Sequence, residues 1–293
     1  MGLNYKAYAK VNLGLDVLRR REDGYHEVKM VMQTVNLYDN ISVEELDCNS
    51  KDPINERIKI TTNVGFLPVN EDNLIFKAAK LLMEEYNIEK GVKINLEKNI
   101  PVAAGMAGGS TDAAMTLVGV NELFDLGLSK EDLMKRGVKI GADVPYCVMR
   151  GTALSEGIGE ILNPIKGMPQ CHILIAKPPI NVSTKYVYEN LHANELTWHP
   201  DIDGLVDYIE KSDLKGIASK MENVLETVTV KKHPVIEEIK TFMKENGALN
   251  SIMSGSGPTV FGLFDDRETA EKAFNGLKAL DITKQVYLTD LFL

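Results

Sequence analysis

The sequence predicts an α+β protein of two domains. Three observations point there. At 293 residues the chain is about twice the usual domain length. Strand-like and helix-like periodicities occur in both halves, and a stretch with two prolines and a glycine in seven residues, Asn163-Pro164-Ile165-Lys166-Gly167-Met168-Pro169, separates them. The boundaries that follow are residues 1–165 and 166–293.

The first third reads as strands. Apolar and polar residues alternate over 9–18 (Val11, Leu13, Leu15, Val17), 28–35, 41–46 and 58–62, the period-two signature of half-buried, antiparallel strands. Glu71-Asp72-Asn73 then opens a helix whose Leu74, Ile75, Ala78, Leu81, Leu82 and Tyr86 share one face. Gly91 stops it, and 92–96 is a strand. After Pro101 comes a Gly/Ala loop, then a helix from Ser110 to Leu123 with Ala114, Leu117, Val118 and Leu123 as its apolar face. Ser129 with Asp132 forms a capping-box pattern for one more short helix. Beyond the linker the pattern predicts a strand at 172–176, several helices, a strand-turn-strand about Gly255 and Gly257, a helix at 268–280 and a last strand at 285–289.

Composition narrows the function. Lys and Arg total 33 against 42 Asp and Glu, a net charge of −9, so nucleic acid and anionic membranes are poor partners. No run approaches the roughly 20 apolar residues of a spanning helix, and the first residues lack a signal-peptide layout. Three widely spaced cysteines (48, 147, 171) and five histidines without an H-E-x-x-H pair argue against a disulfide framework and a zinc site. A reduced, cytoplasmic protein is expected.

The chemistry concentrates in Pro101-Val102-Ala103-Ala104-Gly105-Met106-Ala107-Gly108-Gly109-Ser110-Thr111. Small residues let several backbone N–H groups approach one anion, and the helix that follows adds unpaired donors and its positive dipole end. Phosphate is the natural ligand for such a row. A tight turn with Ser110 as N-cap is the competing reading. The chain has no Gly-Lys pair for a Walker A loop, no H-R-D or D-F-G element, and no G-x-G-x-x-G spacing.

The stretch 101–114 resembles the phosphate-binding motif of the GHMP kinase superfamily. Two further stretches are similar at the expected places: Ala9-Lys10-Val11-Asn12-Leu13-Gly14-Leu15 and Met253-Ser254-Gly255-Ser256-Gly257-Pro258-Thr259-Val260-Phe261. More narrowly, Gly24-Tyr25-His26-Glu27 and Gly141-Ala142-Asp143-Val144-Pro145 resemble the branch that acts on a cytidylated methylerythritol. The five motifs occur in order over essentially the whole chain. Thr111 departs from the usual serine but keeps a hydroxyl, and Met106 replaces the usual leucine at conserved volume.

The resemblance implies a two-domain kinase, with a first domain like ribosomal protein S5 domain 2, a ferredoxin-like second domain and an active site in the cleft between them. It implies ATP as co-substrate with Mg²⁺, and transfer of the γ-phosphoryl to the 2-hydroxyl of the methylerythritol moiety in the methylerythritol phosphate route to isoprenoid precursors. Asp143 would take the hydroxyl proton, and Lys10 would keep Asp143 ionised and stabilise the oxyanion. On pattern alone the plainer readings lead: Lys10 as a solvated strand lysine and Asp143 as a turn-former before proline. Residues 101–111 would hold ATP, with Ser110 the best magnesium contact. Tyr25 and His26 would meet the cytosine, with Tyr188, or alternatively Tyr186, on its other face. Asn12 and Thr184 would lie near the polyol and phosphates, and Gly255, Ser256 and Gly257 would close over the substrate. The expected state is a monomer or weak homodimer. Mevalonate, homoserine or a sugar is the alternative substrate, and a non-catalytic nucleotide-binding protein is the alternative of another class.

Overall fold

The structure is a computed structural model that describes residues 2–292. The chain packs into two compact units that interleave in sequence. One comprises the chain up to Ala9 with Leu37–Val102 and Ala107–Arg150. The other comprises Lys10–Asn36, Ala103–Met106 and the chain from Gly151 on.

β1 (Leu3–Arg20) and β2 (His26–Leu46) are long paired strands that contribute to both units. Their turn is closed by Arg21 N–H and C=O, which bond Tyr25 C=O at 2.8 Å and Gly24 N–H at 3.1 Å. Gly24 sits at φ +87°, a left-handed position that glycine takes without a Cβ clash. Two expectations change here. The strands expected at 28–35 and 41–46 are one continuous β2, because Asn36 to Asn40 stay extended. β1 is not half-buried: Ala9–Val17 is buried at every position, since both faces are covered.

In the first unit, α1 (Ile54–Arg57) leads into β3 (Ile58–Thr62), and α2 (Leu74–Glu85) crosses over to β4 (Gly91–Glu97), parallel to β3. Asn73 caps α2 by accepting the Ile75 N–H at 2.9 Å. Asn40–Leu46 of β2 pairs antiparallel with β4. α3 (Gly108–Leu123) starts two residues before the expected Ser110, with Ala107 rather than a serine at the N-cap. It is buried from Thr111 to Leu117, whereas Val118 and Leu123 of its expected apolar face are only half-buried. α4 (Lys130–Gly137) carries the expected capping box of Ser129 and Asp132, and α5 (Val144–Met149), read in the sequence only as a turn, has Asp143 at its N-cap.

In the second unit, β5 (Thr152–Glu156) pairs with Met30–Gln33 of β2, and β6 (Ile161–Pro164) pairs with β5. Pro164 is tolerated because β6 is an edge strand. β7 (His172–Lys177) follows, then α6 (Thr184–Glu189), a 3₁₀ turn at Ala193–Glu195, α7 (Ile202–Glu210), α8 (Leu214–Lys220), α9 (Glu226–Lys232), α10 (Val235–Glu245), β8 (Asn250–Met253), β9 (Val260–Phe264), α11 (Arg267–Ala279) and β10 (Gln285–Asp290). The last four strands form an antiparallel sheet in the order β10-β7-β9-β8. Ile236, Ile239 and Met243 of α10 and Ala270, Ala273 and Leu277 of α11 are its buried helical stripes, at three-to-four spacing. The fold is thus α+β, as the mixed periodicities predict.

Gly14 of β1 lies against α7. A Cβ there would stand 2.7 Å from Leu205 Cδ2 and 2.9 Å from Ile202 Cδ1, side-chain tips that must shift to admit it. Gly14→Ala is expected to lower unfolding stability by about 1–2 kcal/mol through overpacking, read as a lower denaturant midpoint at unchanged slope.

Candidate active site

Lys10, Asn12, the Gly105 loop and the Ser254 turn meet within the second unit. Lys10 is only 5 % exposed, so the solvated-lysine reading falls. Its Nζ donates to Asn12 Oδ1 at 2.7 Å, and its backbone N–H to Met106 C=O at 3.2 Å. Asn12 in turn donates from Nδ2 to Met30 Sδ at 3.1 Å and from its backbone N–H to Ser254 Oγ at 3.4 Å. Ser254 Oγ–H donates to Gly105 C=O at 2.9 Å. A Cβ on Gly105, whose φ is +70°, would fall 2.3 Å from Ser254 O. Only bare backbone permits that approach. Asn223 Nδ2 holds the other side of the turn, donating to Met253 C=O at 2.7 Å and Gly255 C=O at 2.8 Å. Ser256 Oγ lies 2.8 Å from Thr184 Oγ1, so the sequence-singled Thr184 and the Gly255-Ser256-Gly257 turn are neighbours.

The loop has a conformation that composition alone does not disclose. Ala103, Gly105 and Ala107 have φ of +51°, +70° and +57°, while Ala104 and Met106 between them are not left-handed. Such alternation turns successive N–H groups toward one concavity, the geometry that binds anions. Two alanines in the left-handed region cost roughly 1–2 kcal/mol each. Pro101, Ala104 and Met106 are buried, Val102 is half-buried and Ala103 is exposed. Gly109 is exposed and Ser110 half-buried in the first turn of α3, where N–H groups have no intrahelical acceptor. Thr111 is buried, and its hydroxyl has no hydrogen-bond partner.

The aromatic group is also local. The His26 and Tyr188 ring centroids lie 5.0 Å apart at 42°. Tyr25, 61 % exposed, stands beside His26 in sequence. Tyr186 faces elsewhere, with Lys232 Nζ 3.6 Å from its ring centroid. Of the two tyrosines left open by the sequence, Tyr188 is therefore the one at His26. Burial and then the nearby Arg20 charge lower the His26 pKa, so its imidazole is neutral at neutral pH.

Asp143 belongs to the first unit, half-buried, and makes no side-chain cap to α5. Three further ionisable residues of that unit were not singled out by the sequence: Lys98 Nζ bonds Asp39 at 2.5 Å and Asp112 at 2.7 Å. Asp112 was visible as a charge at the start of an apolar helix, but Lys98 and Asp39 are 59 residues apart and leave no local pattern. Ser254 and Asn223 were missed likewise, although Ser254 stands inside a recognised motif. Among the described residues no group of three or more His, Cys, Asp or Glu is arranged to hold a metal ion. No helix among them is long and apolar enough to cross a membrane.

The two loop glycines separate by substitution. Gly105→Ala combines a positive φ with the contact to Ser254 O and is expected to destabilise by about 3 kcal/mol or more. Gly109→Ala meets nothing nearer than Leu74 Cδ1 at 3.7 Å and lies in a helix, so stability should hold or rise by up to about 1 kcal/mol. Thermal melts of the two variants check the opposite signs.

Comparison with known proteins agrees with this geometry. Residues 73–151 match the GHMP kinases N terminal domain, and residues 205–281 match GHMP kinases C terminal. The 4-diphosphocytidyl-2-C-methyl-D-erythritol kinase of Lachnoclostridium phytofermentans is 57 % identical over 99 % of this chain and 97 % of its own. That of Lachnospira eligens is 54 % identical over 99 % and 98 %. Among solved structures, a 4-(cytidine 5'-diphospho)-2C-methyl-D-erythritol kinase superposes with a TM-score of 0.82 at 29 % identity over 99 % of both chains. A homoserine kinase from Cytophaga hutchinsonii shares the fold at 20 % identity, with a TM-score of 0.76 over 99 % of this chain and 95 % of its own. The chain belongs to the GHMP kinases, in the family whose members are named 4-diphosphocytidyl-2-C-methyl-D-erythritol kinase.

Proposed function

We propose that this chain transfers the γ-phosphoryl group of ATP to the 2-hydroxyl of 4-diphosphocytidyl-2-C-methyl-D-erythritol, giving the 2-phosphate and ADP in the methylerythritol phosphate route to isoprenoid precursors. Relatives of that name at 47–57 % identity over nearly the whole chain support the reading. The observation that carries the substrate is the His26–Tyr188 pair beside an exposed Tyr25, since a cytosine stacks on such rings and a sugar, homoserine or mevalonate carries no base to stack.

In this reading the backbone of residues 101–111 cradles the triphosphate, with the alternating loop and the first turn of α3 supplying donors. The 2-hydroxyl oxygen attacks the γ-phosphorus as the bond to the β,γ-bridging oxygen breaks, and the hydroxyl proton passes to Asp143. Lys10, steadied by Asn12, supplies positive charge to the developing oxyanion. Tyr25, His26 and Tyr188 hold the cytosine; Asn12, Thr184 and the Gly255-Ser256-Gly257 turn hold the polyol and phosphate region. Magnesium, riding on the ATP phosphates, would neutralise charge there. Ser110 fits as its protein oxygen. Asp112 does not, because its carboxylate is buried and bonded to Lys98. We place the enzyme in the cytoplasm as a monomer or weak homodimer, with residues 1–165 and 166–293 as its domains and neither nucleic acid nor membrane as partner.

ADP release measured with the cytidylated substrate, mevalonate, homoserine and galactose tests the reading: turnover is expected with the first alone, and turnover with another alcohol instead would reassign the substrate. Asp143→Asn is expected to lower kcat by about a hundredfold or more with the ATP KM within about twofold. Retained turnover would remove Asp143 from the mechanism. Tyr25→Ala and Tyr188→Ala are each expected to raise the KM for the cytidylated substrate about tenfold and to spare the ATP KM, whereas Tyr186→Ala leaves both near wild type. Steady-state kinetics on the three variants distinguish the tyrosines.

A further inference from the structure

Lys98, Asp39 and Asp112 form a buried cluster that no role above employs. Their side chains are 5 %, 0 % and 4 % exposed. Besides its bond to Lys98, Asp39 accepts at Oδ1 from the backbone N–H groups of Asn99 at 2.6 Å and Ile100 at 2.7 Å, immediately before Pro101 where the loop begins. Asp112 lies in α3, just past the loop's end, and bonds Lys98 through Oδ2. A Cβ on Gly108 would stand 2.9 Å from Lys98 Nζ and 3.2 Å from Ile100 Cγ2. One ammonium thus ties the entrance and the exit of the loop to the same point on β2, and Gly108 is bare because that ammonium passes beside it.

Charge balance does not require all three groups. Asp39 alone would neutralise Lys98. Asp112 adds a second carboxylate, and its Oδ1 is buried with no hydrogen-bond partner. Burial pushes the Asp112 carboxyl well above the usual range; Lys98 opposes that and Asp39 adds to it. Burial also acts to lower Lys98, but the two carboxylates more than offset it and leave its pKa above the ordinary lysine value. A surplus buried acid with an unpaired oxygen weakens a fold rather than strengthening it. Its use is geometric: the bond to Lys98 fixes where the first turn of α3, with the N–H groups of Gly108, Gly109 and Ser110, sits relative to the start of the loop.

We propose that Asp112 is a positioning residue for the nucleotide: through Lys98 it holds the first turn of α3 at a set distance from Asp39, so that the loop meets a triphosphate in one geometry. The proposal rests on the kinase reading above. A displacement of about 1 Å in groups that orient a substrate costs on the order of a hundredfold, so a partly loosened clamp should be plainly measurable.

The test compares wild type, Asp112→Ala and Asp112→Asn by thermal melting, by the ATP and cytidylated-substrate KM values, and by calorimetric ATP binding without acceptor. Asp112→Ala is expected to weaken ATP about tenfold in both KM and dissociation constant. The KM for the cytidylated substrate should stay within about twofold, and the melting temperature should equal or exceed that of wild type. Asp112→Asn keeps an oxygen for Lys98 and is expected to recover most of the ATP affinity. Wild-type ATP affinity in Asp112→Ala would overturn the proposal, as would a parallel loss of melting temperature and of affinity for both substrates, or an Asn variant as weak as the Ala variant. If wild type binds ATP yet releases no ADP with the cytidylated alcohol, the kinase reading fails on its own, and the calorimetric series still decides the role of Asp112. If wild type binds no ATP, both fall.

Discussion

Everything in the site depends on how closely Gly105 approaches Ser254. With 2.3 Å between the Ser254 carbonyl oxygen and the place where a Cβ would be, the two turns touch backbone to backbone. Three placements follow from it. Ser254 Oγ reaches both Gly105 C=O and Asn12 N–H; the Lys10 N–H can bond Met106 C=O; and the Lys10 ammonium is then held by Asn12. A buried lysine whose ammonium is steadied by an amide holds positive charge at a fixed point, which suits a centre where an oxyanion develops.

The strain in the molecule has a consistent location. The left-handed alanines at 103 and 107 and the surplus Asp112 carboxylate all lie within twelve residues of one another. Each costs stability on its own, and each is tolerated because β1, β4 and the length of α3 are buried around them. Functional sites are where local rules are broken and overruled by the surrounding fold. The aromatic end needs no such strain: His26, Tyr188 and Tyr25 sit in ordinary strand, helix and turn positions, and their packing requires only that α6 present Tyr188 rather than Tyr186.

How much of this was legible in the sequence depends on range. The Asn73 cap, the Ser129–Asp132 box, α11 and the β8–β9 hairpin are local, and each follows from residues within a few positions of one another. The glycine-rich motif and the late turn were legible as sites, and the structure joins them through Ser254, whose part the sequence did not disclose. β2 reads as two strands because Asn36 to Asn40 break its alternation, whereas the structure pairs it with β1 and, on either side of that stretch, with β5 and β4, which lie far along the chain. The sequence places the start of α3 at Ser110; the helix instead begins at Gly108, behind a left-handed Ala107 that offers no side-chain cap, which no propensity anticipates. α5, β5 and β6 are four to six residues long, too short for a period to declare itself. The Lys98 cluster depends on contacts across 59 and 14 positions and was invisible for the same reason.

The most direct test of the central claim is the fate of the transferred phosphorus. Incubating the enzyme with ATP, magnesium and the cytidylated methylerythritol and following the mixture by ³¹P NMR should show one new phosphomonoester, coupled to the C2 carbon, with the cytidine diphosphate resonances intact and ADP formed in equal amount. Inorganic phosphate in place of that ester, or an ester on a different hydroxyl, would contradict the account.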